Sequence, residues 1–131
     1  MLPKGYAVML RKYDEAGLVA VESYFGVSDE PVLNQTGYHT IKRIWADKNH
    51  ISSEAWFDIE DRPMPIGDDT YVRRERDFDA AGNIIAERYF DANDLPTACR
   101  DGYDEKRMSD GVTKYYLNGT EYIPPEEENA A

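Results

Sequence analysis

Of 131 residues only one is cysteine, Cys99, and only two are histidine, His39 and His50. A lone cysteine forms no internal disulfide, and with two histidines it makes a zinc cluster built from this chain a poor expectation. Long apolar runs are missing too. None approaches about 18 residues, so no segment reads as a membrane-spanning helix. Positive charge is scarce: 15 Lys+Arg stand against 26 Asp+Glu, for a net charge of −11. A chain this acidic repels phosphate backbones and anionic lipid, so neither nucleic acid nor membrane insertion is expected of it. The opening Met1–Tyr6 has no basic segment followed by an apolar stretch and a small-residue cleavage site, so it does not read as a signal peptide. Compartment stays open: cell surface or secretion if the chain is excised from a longer protein, cytoplasm otherwise.

What the chain has is internal repetition. Gly5-Tyr6 recurs as Gly37-Tyr38 and, more weakly, as Thr70-Tyr71. Seven residues after each tyrosine stands an aromatic: Tyr13, Trp45, Phe78. Further on come Tyr24-Phe25, Trp56-Phe57 and Tyr89-Phe90, each announced two positions earlier by a glutamate, Glu22, Glu54 and Glu87. A proline closes each unit at Pro31, Pro63 and Pro96. The landmarks advance by 32 and then 33 residues, an agreement in order and spacing that chance does not produce. The reading is one repeat domain over 1–125, with units at about 5–36, 37–69, 70–101 and a shortened terminal unit at 102–125. Residues 126–131, rich in glutamate and without bulky apolar side chains, read as a flexible acidic tail.

Each unit carries a hairpin signature. In the second, His39–Trp45 and Ile51–Phe57 are rich in β-branched and aromatic types and flank the turn-forming Ala46-Asp47-Lys48-Asn49. Asp14-Glu15-Ala16-Gly17 and Asp79-Ala80-Ala81-Gly82-Asn83 stand in the corresponding places. Glycine there supplies a positive φ, and the aspartate accepts backbone N–H bonds inside the turn. A helix over 16–24 or 80–89 competes, but the glycines and the period-two valines and isoleucines favour strands. The expected fold is all-β: an antiparallel meander of about seven to nine short strands in tandem hairpins, forming an open twisted sheet or a short solenoid.

Period two also divides the second strands. Val19, Val21 and Phe25, with Ile51, Ala55, Phe57, Ile84, Ala86 and Phe90, are read as the apolar face. Opposite lie Glu22-Tyr24, Glu54-Trp56 and Glu87-Tyr89, read as an exposed aromatic ladder beside carboxylates. Tyr24, Trp56, Tyr89 and Tyr115 are therefore the candidate ligand or partner surface, since flat rings beside acids suit sugars, cations or peptides. The recurring Arg11, Arg43 and Arg76 suggest cross-strand ion pairs with Glu22, Glu54 and Glu87. Glu54 and Glu87 could be read as a glycosidase pair, but repeat-equivalent residues are translated along a stack and need not share a cleft. His39 and His50 fall at opposite ends of one hairpin, which argues against a shared metal. Asp58-Glu60-Asp61 and Asp91-Asn93-Asp94 lack calcium-loop spacing and read as solvated turns, as do the glycosylation-like Asn34-Gln35-Thr36 and Asn118-Gly119-Thr120. No catalytic, cofactor or metal site is expected.

The units built on Tyr13-Asp14…Gly17…Glu22-Ser23-Tyr24-Phe25 and Phe78-Asp79…Gly82-Asn83…Glu87-Arg88-Tyr89-Phe90-Asp91 resemble a bacterial tandem hairpin repeat of the form GY…YD.xGN…E.YFD..G.PV, itself similar to MORN-type and WG-type β-repeats. The resemblance covers about residues 5–101. It implies stacked hairpins and the setting of a bacterial envelope or secreted assembly. The pattern's third glycine is replaced here by Asp29-Glu30, Asp61-Arg62 and Asp94-Leu95. Trp56-Phe57-Asp58 and Tyr115-Tyr116-Leu117-Asn118-Gly119 also look like fragments of choline- and glucan-binding repeats. The expectation is a non-enzymatic structural or protein-interaction module, its partner another protein or a neighbouring domain. The alternative is a carbohydrate or cell-wall-binding module using the ladder. Open sheet edges add the expectation of a homodimer, through an edge or the aromatic face.

Overall fold

The computed structural model describes residues 6–67 and 69–123. The expected tail at 126–131 and the prolines at 124 and 125 lie outside the described residues. Nine strands form one antiparallel sheet in which order in space follows order in sequence: β1 (Val8–Tyr13), β2 (Val19–Phe25), β3 (Thr40–Asp47), β4 (His50–Phe57), β5 (Arg73–Phe78), β6 (Ile84–Phe90), β7 (Glu105–Ser109), β8 (Val112–Leu117) and β9 (Thr120–Tyr122). The sheet is open and not closed into a barrel, and none of the described residues is helical. Among the described residues no helix is long and apolar enough to cross a membrane.

One five-residue turn is used again and again. At the hairpin tips the Asp14 and Asp79 carboxylates accept the backbone N–H groups of Ala16 and Leu18, and of Ala81 and Asn83. The fourth position takes the left-handed conformation, Gly17 at φ 83° and Gly82 at φ 89°. The same turn follows β4 and β6, where Asp58 and Asp91 accept the N–H groups of Glu60 and Arg62, and of Asn93 and Leu95. In this second set the left-handed residue is an aspartate: Asp29 at 64°, Asp61 at 63°, Asp94 at 66°. The missing third glycine has therefore not changed the loop. Aspartate tolerates that region better than most L-residues and sits there at some cost.

The division into faces differs from the period-two reading. Lys12 pairs with Val21 but Tyr13 with Val19; Ile44 with Ser53 but Trp45 with Ile51; Asp77 with Ala86 but Phe78 with Ile84. Each second strand thus carries a β-bulge, at Ala20, Ser52 and Ile85, and the extra residue flips the parity beyond it. Val19, Ile51 and Ile84 consequently share a face with the glutamates and aromatics, not with Phe25, Phe57 and Phe90. That shared face holds the core, and the segments that follow β2, β4 and β6 fold back across it. Phe25 pairs with Pro31, Phe57 with Pro63 and Phe90 with Pro96. Next along, the N–H groups of Val32, Met64 and Thr97 bond the carbonyls of Tyr24, Trp56 and Tyr89 at 3.2, 2.9 and 3.0 Å. Each connector then delivers a tyrosine, Tyr38, Tyr71 or Tyr103, into the core.

Candidate functional site

Three rows cross the strands on the covered face. The first is aromatic. Tyr24, Trp56 and Tyr89 are 5%, 5% and 4% exposed, and Tyr115 is half-buried. The expectation of an exposed ladder is corrected: the rings are brought into one row as expected, but the connectors cover it. Tyr24 lies between Tyr6 and Tyr38, with ring centroids 4.7 and 5.9 Å away. Trp56, Tyr71, Tyr89, Tyr103 and Tyr115 follow in a chain with steps of 6.1, 4.6, 6.1 and 4.5 Å. Strand rings and connector rings alternate, in tilted contacts of the kind aromatic pairs prefer. Burying only the strand rings would leave gaps between strands, and the Gly-Tyr landmarks fill them. That recurrence was the available signal for a lid.

The second row is charged. Arg11 Nε donates to Glu22 at 2.8 Å, Arg43 Nε to Glu54 at 3.2 Å and Arg76 Nε to Glu87 at 2.6 Å. These are the cross-strand pairs the repeat predicted. Arg74 adds a bond to Glu54 at 2.5 Å, and Lys106 lies 4.0 Å from Glu87. The Tyr24 and Tyr89 hydroxyls donate to Glu22 and Glu87 respectively, two residues back along the same strand. Burial pushes the Glu22 and Glu87 carboxyls up, but the tyrosine hydroxyl and the arginine together outweigh it, so both sit below the usual carboxylate range. Burial first, and then the same carboxylates, push the Tyr24 and Tyr89 phenols up. Burial does so for Tyr103, beside Cys99. Glu54 and Glu87 are separated by β5, about 10 Å of sheet, and each is held by its own cations.

At the hairpin tips the third row is only partly covered. Trp45 Nε1 donates to the Val19 carbonyl at 2.8 Å, joining the first two hairpins. The His50 ring lies 4.8 Å from Phe78, with Nδ1 2.7 Å from Asp47. A methyl at Gly82 would come 2.8 Å from His50 Nε2 and displace the imidazole, at a position whose φ of 89° already favours glycine. Between them lies a shallow groove of about 440 Å³ lined by Trp45, His50, Glu54, Arg76 and Phe78. His39, at the other end of the hairpin, is buried with Nδ1 3.1 Å from the Val32 carbonyl. Among the described residues no group of His, Cys, Asp or Glu is placed to hold a metal ion. Cys99, in the connector after β6, is buried beside Tyr89 and Tyr103.

The opposite face carries Phe57 and Phe90, which the sequence placed on the apolar face, and with them Tyr116. Here Lys42 Nζ stands 4.4 Å over Phe57, the Arg73 guanidinium 4.1 Å over Phe90 and that of Arg107 4.5 Å over Tyr116. Arg88 bridges Asp77 at 2.8 Å and Glu105 at 3.4 Å across the same face. This side is open, a mosaic of paired charges with single apolar residues such as Leu10 and Ile44 exposed between them.

Comparisons of the chain with protein-family models, with curated proteins and with solved structures each found no match. The fold and the chemistry above carry the functional reading.

Proposed function

We propose that this is a non-enzymatic β-repeat module, a structural or protein-interaction element that presents an extended sheet to a protein partner or neighbouring domain. One observation carries the reading: the aromatic row that would stack on a sugar is closed in by its own connectors. The glutamates beside it are held by arginines of the sheet itself, and Glu22 and Glu87 also by a tyrosine of their own strand, which is the economy of a scaffold. The open face offers charge of both signs and scattered apolar side chains, a composition suited to a protein surface. The setting of a bacterial envelope or secreted assembly follows the repeat resemblance and belongs to the same proposal.

Ile44, exposed on the open face, is the place to test it. A photo-crosslinking amino acid at position 44 is expected to give one discrete protein adduct in the source cells. Titration with peptidoglycan fragments and glycans, followed by Trp45 and Trp56 fluorescence, is expected to stay flat. No protein adduct, together with a saturable glycan response lost in Trp56→Phe, would replace the module reading with the cell-wall one.

A further inference from the structure

The first strands of the hairpins are built alike, yet one is unfinished. β3, β5 and β7 each lie between two neighbours, whereas β1 heads the sheet. Thr40 and Ile41 on β3 are 4% and 3% exposed; their equivalents Val8 and Met9 on β1 are 45% exposed and half-buried. The tyrosines repeat the contrast. Tyr71 and Tyr103 each lie between two strand rings and are buried, while Tyr6, among the described residues, meets the Tyr24 ring alone and is half-buried. The Asp14 N–H bonds the Leu18 carbonyl and the Tyr24 N–H the His39 carbonyl, so Val8, Leu10 and Lys12 turn their backbone groups to β2 and those of Met9 and Arg11 face outward. A row of unpaired backbone groups is a template for another strand.

Charge says which strand fits. In a chain of net charge −11, β1 carries Arg11 and Lys12 and no acid. At the three interior junctions a glutamate of the preceding strand sits opposite the residue equivalent to Met9: Glu22 opposite Ile41, Glu54 opposite Arg74, Glu87 opposite Lys106. The same register at β1 would set a glutamate against Met9, next to Arg11, and an aromatic ring against the free side of Tyr6. Two copies of β1 paired about Arg11 and Lys12 would instead set cation against cation.

We propose that the outer edge of β1 receives, antiparallel, a strand of another polypeptide that carries the glutamate-x-aromatic-phenylalanine pattern of β2, β4 and β6. The sheet then continues across the junction in the register of β2 on β3. This rests on the interaction-module reading and names the class of partner.

The probe is a fluorescent peptide of residues 83–97 added to the full chain. Saturable binding is expected, with amide exchange at Met9 and Arg11 slowed about ten-fold or more. Met9→Pro removes an outward N–H and leaves the β1–β2 ladder intact, so that chain, shown folded by circular dichroism, is expected not to bind. Met9→Glu is expected to reject the peptide and to regain it when the peptide carries Glu87→Lys, which keeps the test decisive if the proline variant does not fold. Equal binding to Met9→Pro, or none to the unaltered chain, overturns the proposal. So does a dimer that dissociates on Met9→Pro, which would name a second copy as the occupant. Peptide failure alongside an Ile44 adduct removes the β1 edge and leaves the module reading in place.

Discussion

Tyr89→Phe removes a single oxygen and separates two accounts of the aromatic row. If the rings matter only as packing, phenylalanine fills the same volume and stability is unchanged. The geometry says otherwise, because the Tyr89 hydroxyl donates to Glu87, a buried carboxylate whose other partners are Arg76 at 2.6 Å and Lys106 at 4.0 Å. A hydrogen bond to a charged acceptor is worth about 1.5–3 kcal/mol, and since Arg76 remains in place a loss of about 2 kcal/mol is expected. With an unfolding entropy of about 2.1 cal/mol/K per residue, the chain has roughly 275 cal/mol/K, so Tm should fall by about 7 °C. The assay is thermal and urea melting of both chains, with coincidence of fluorescence and circular dichroism transitions as the check on two-state behaviour. Tyr115→Phe is the control, since that ring packs on Tyr103 at 4.5 Å without its hydroxyl donating to a carboxylate. A Tyr89→Phe loss below about 0.5 kcal/mol, or one matched by Tyr115→Phe, would refute the hydrogen-bond argument.

Two further outcomes follow from the turns and the phenols. Asp29→Gly relieves a left-handed aspartate at φ 64° and should stabilise by about 0.5 kcal/mol once glycine's larger unfolded-state entropy is subtracted. Asp94→Gly should gain less, because it also loses the Arg73 bond at 2.6 Å; equal gains in the two melts would contradict this. The phenols of Tyr24, Tyr89 and Tyr103 are raised in the folded state, so above about pH 10 the unfolded chain loses protons that the native one keeps. Urea midpoints should therefore hold steady up to that pH and fall beyond it, and a flat alkaline limb would show these phenols to be less enclosed than the fold places them.

The repeat, its hairpins and its cross-strand Arg–Glu pairs were legible because each depends on residues a fixed distance apart. The faces were not. Alternation assumes one residue per pleat, and the bulges at Ala20, Ser52 and Ile85 insert another at positions that share no side-chain type. Val19 and Phe25 look alike in a count of two, yet the bulge between them turns them to opposite sides. The connectors misled for a different reason. Polar, proline-bearing segments such as 58–63 read as solvent loops, and their composition is indeed that of exposed turns. Only the Gly-Tyr landmarks show that the chain returns to the sheet afterwards. Cys99 is buried at the point in its connector that Asn34 occupies in the first.

The sheet order has a consequence for synthesis. Every strand touches only the strands before and after it in the chain, so no early segment waits for a distant one to arrive. A unit of 32 or 33 residues leaves the ribosome in about 2–6 s, whereas a hairpin closes in about 1–10 μs. The connector that lids a unit comes immediately after its second strand, and the tyrosine it brings is the same ring that starts the next unit. Each hairpin can be closed and covered while its successor is still being translated, and the nascent chain never exposes more than about one unit of uncovered aromatic surface.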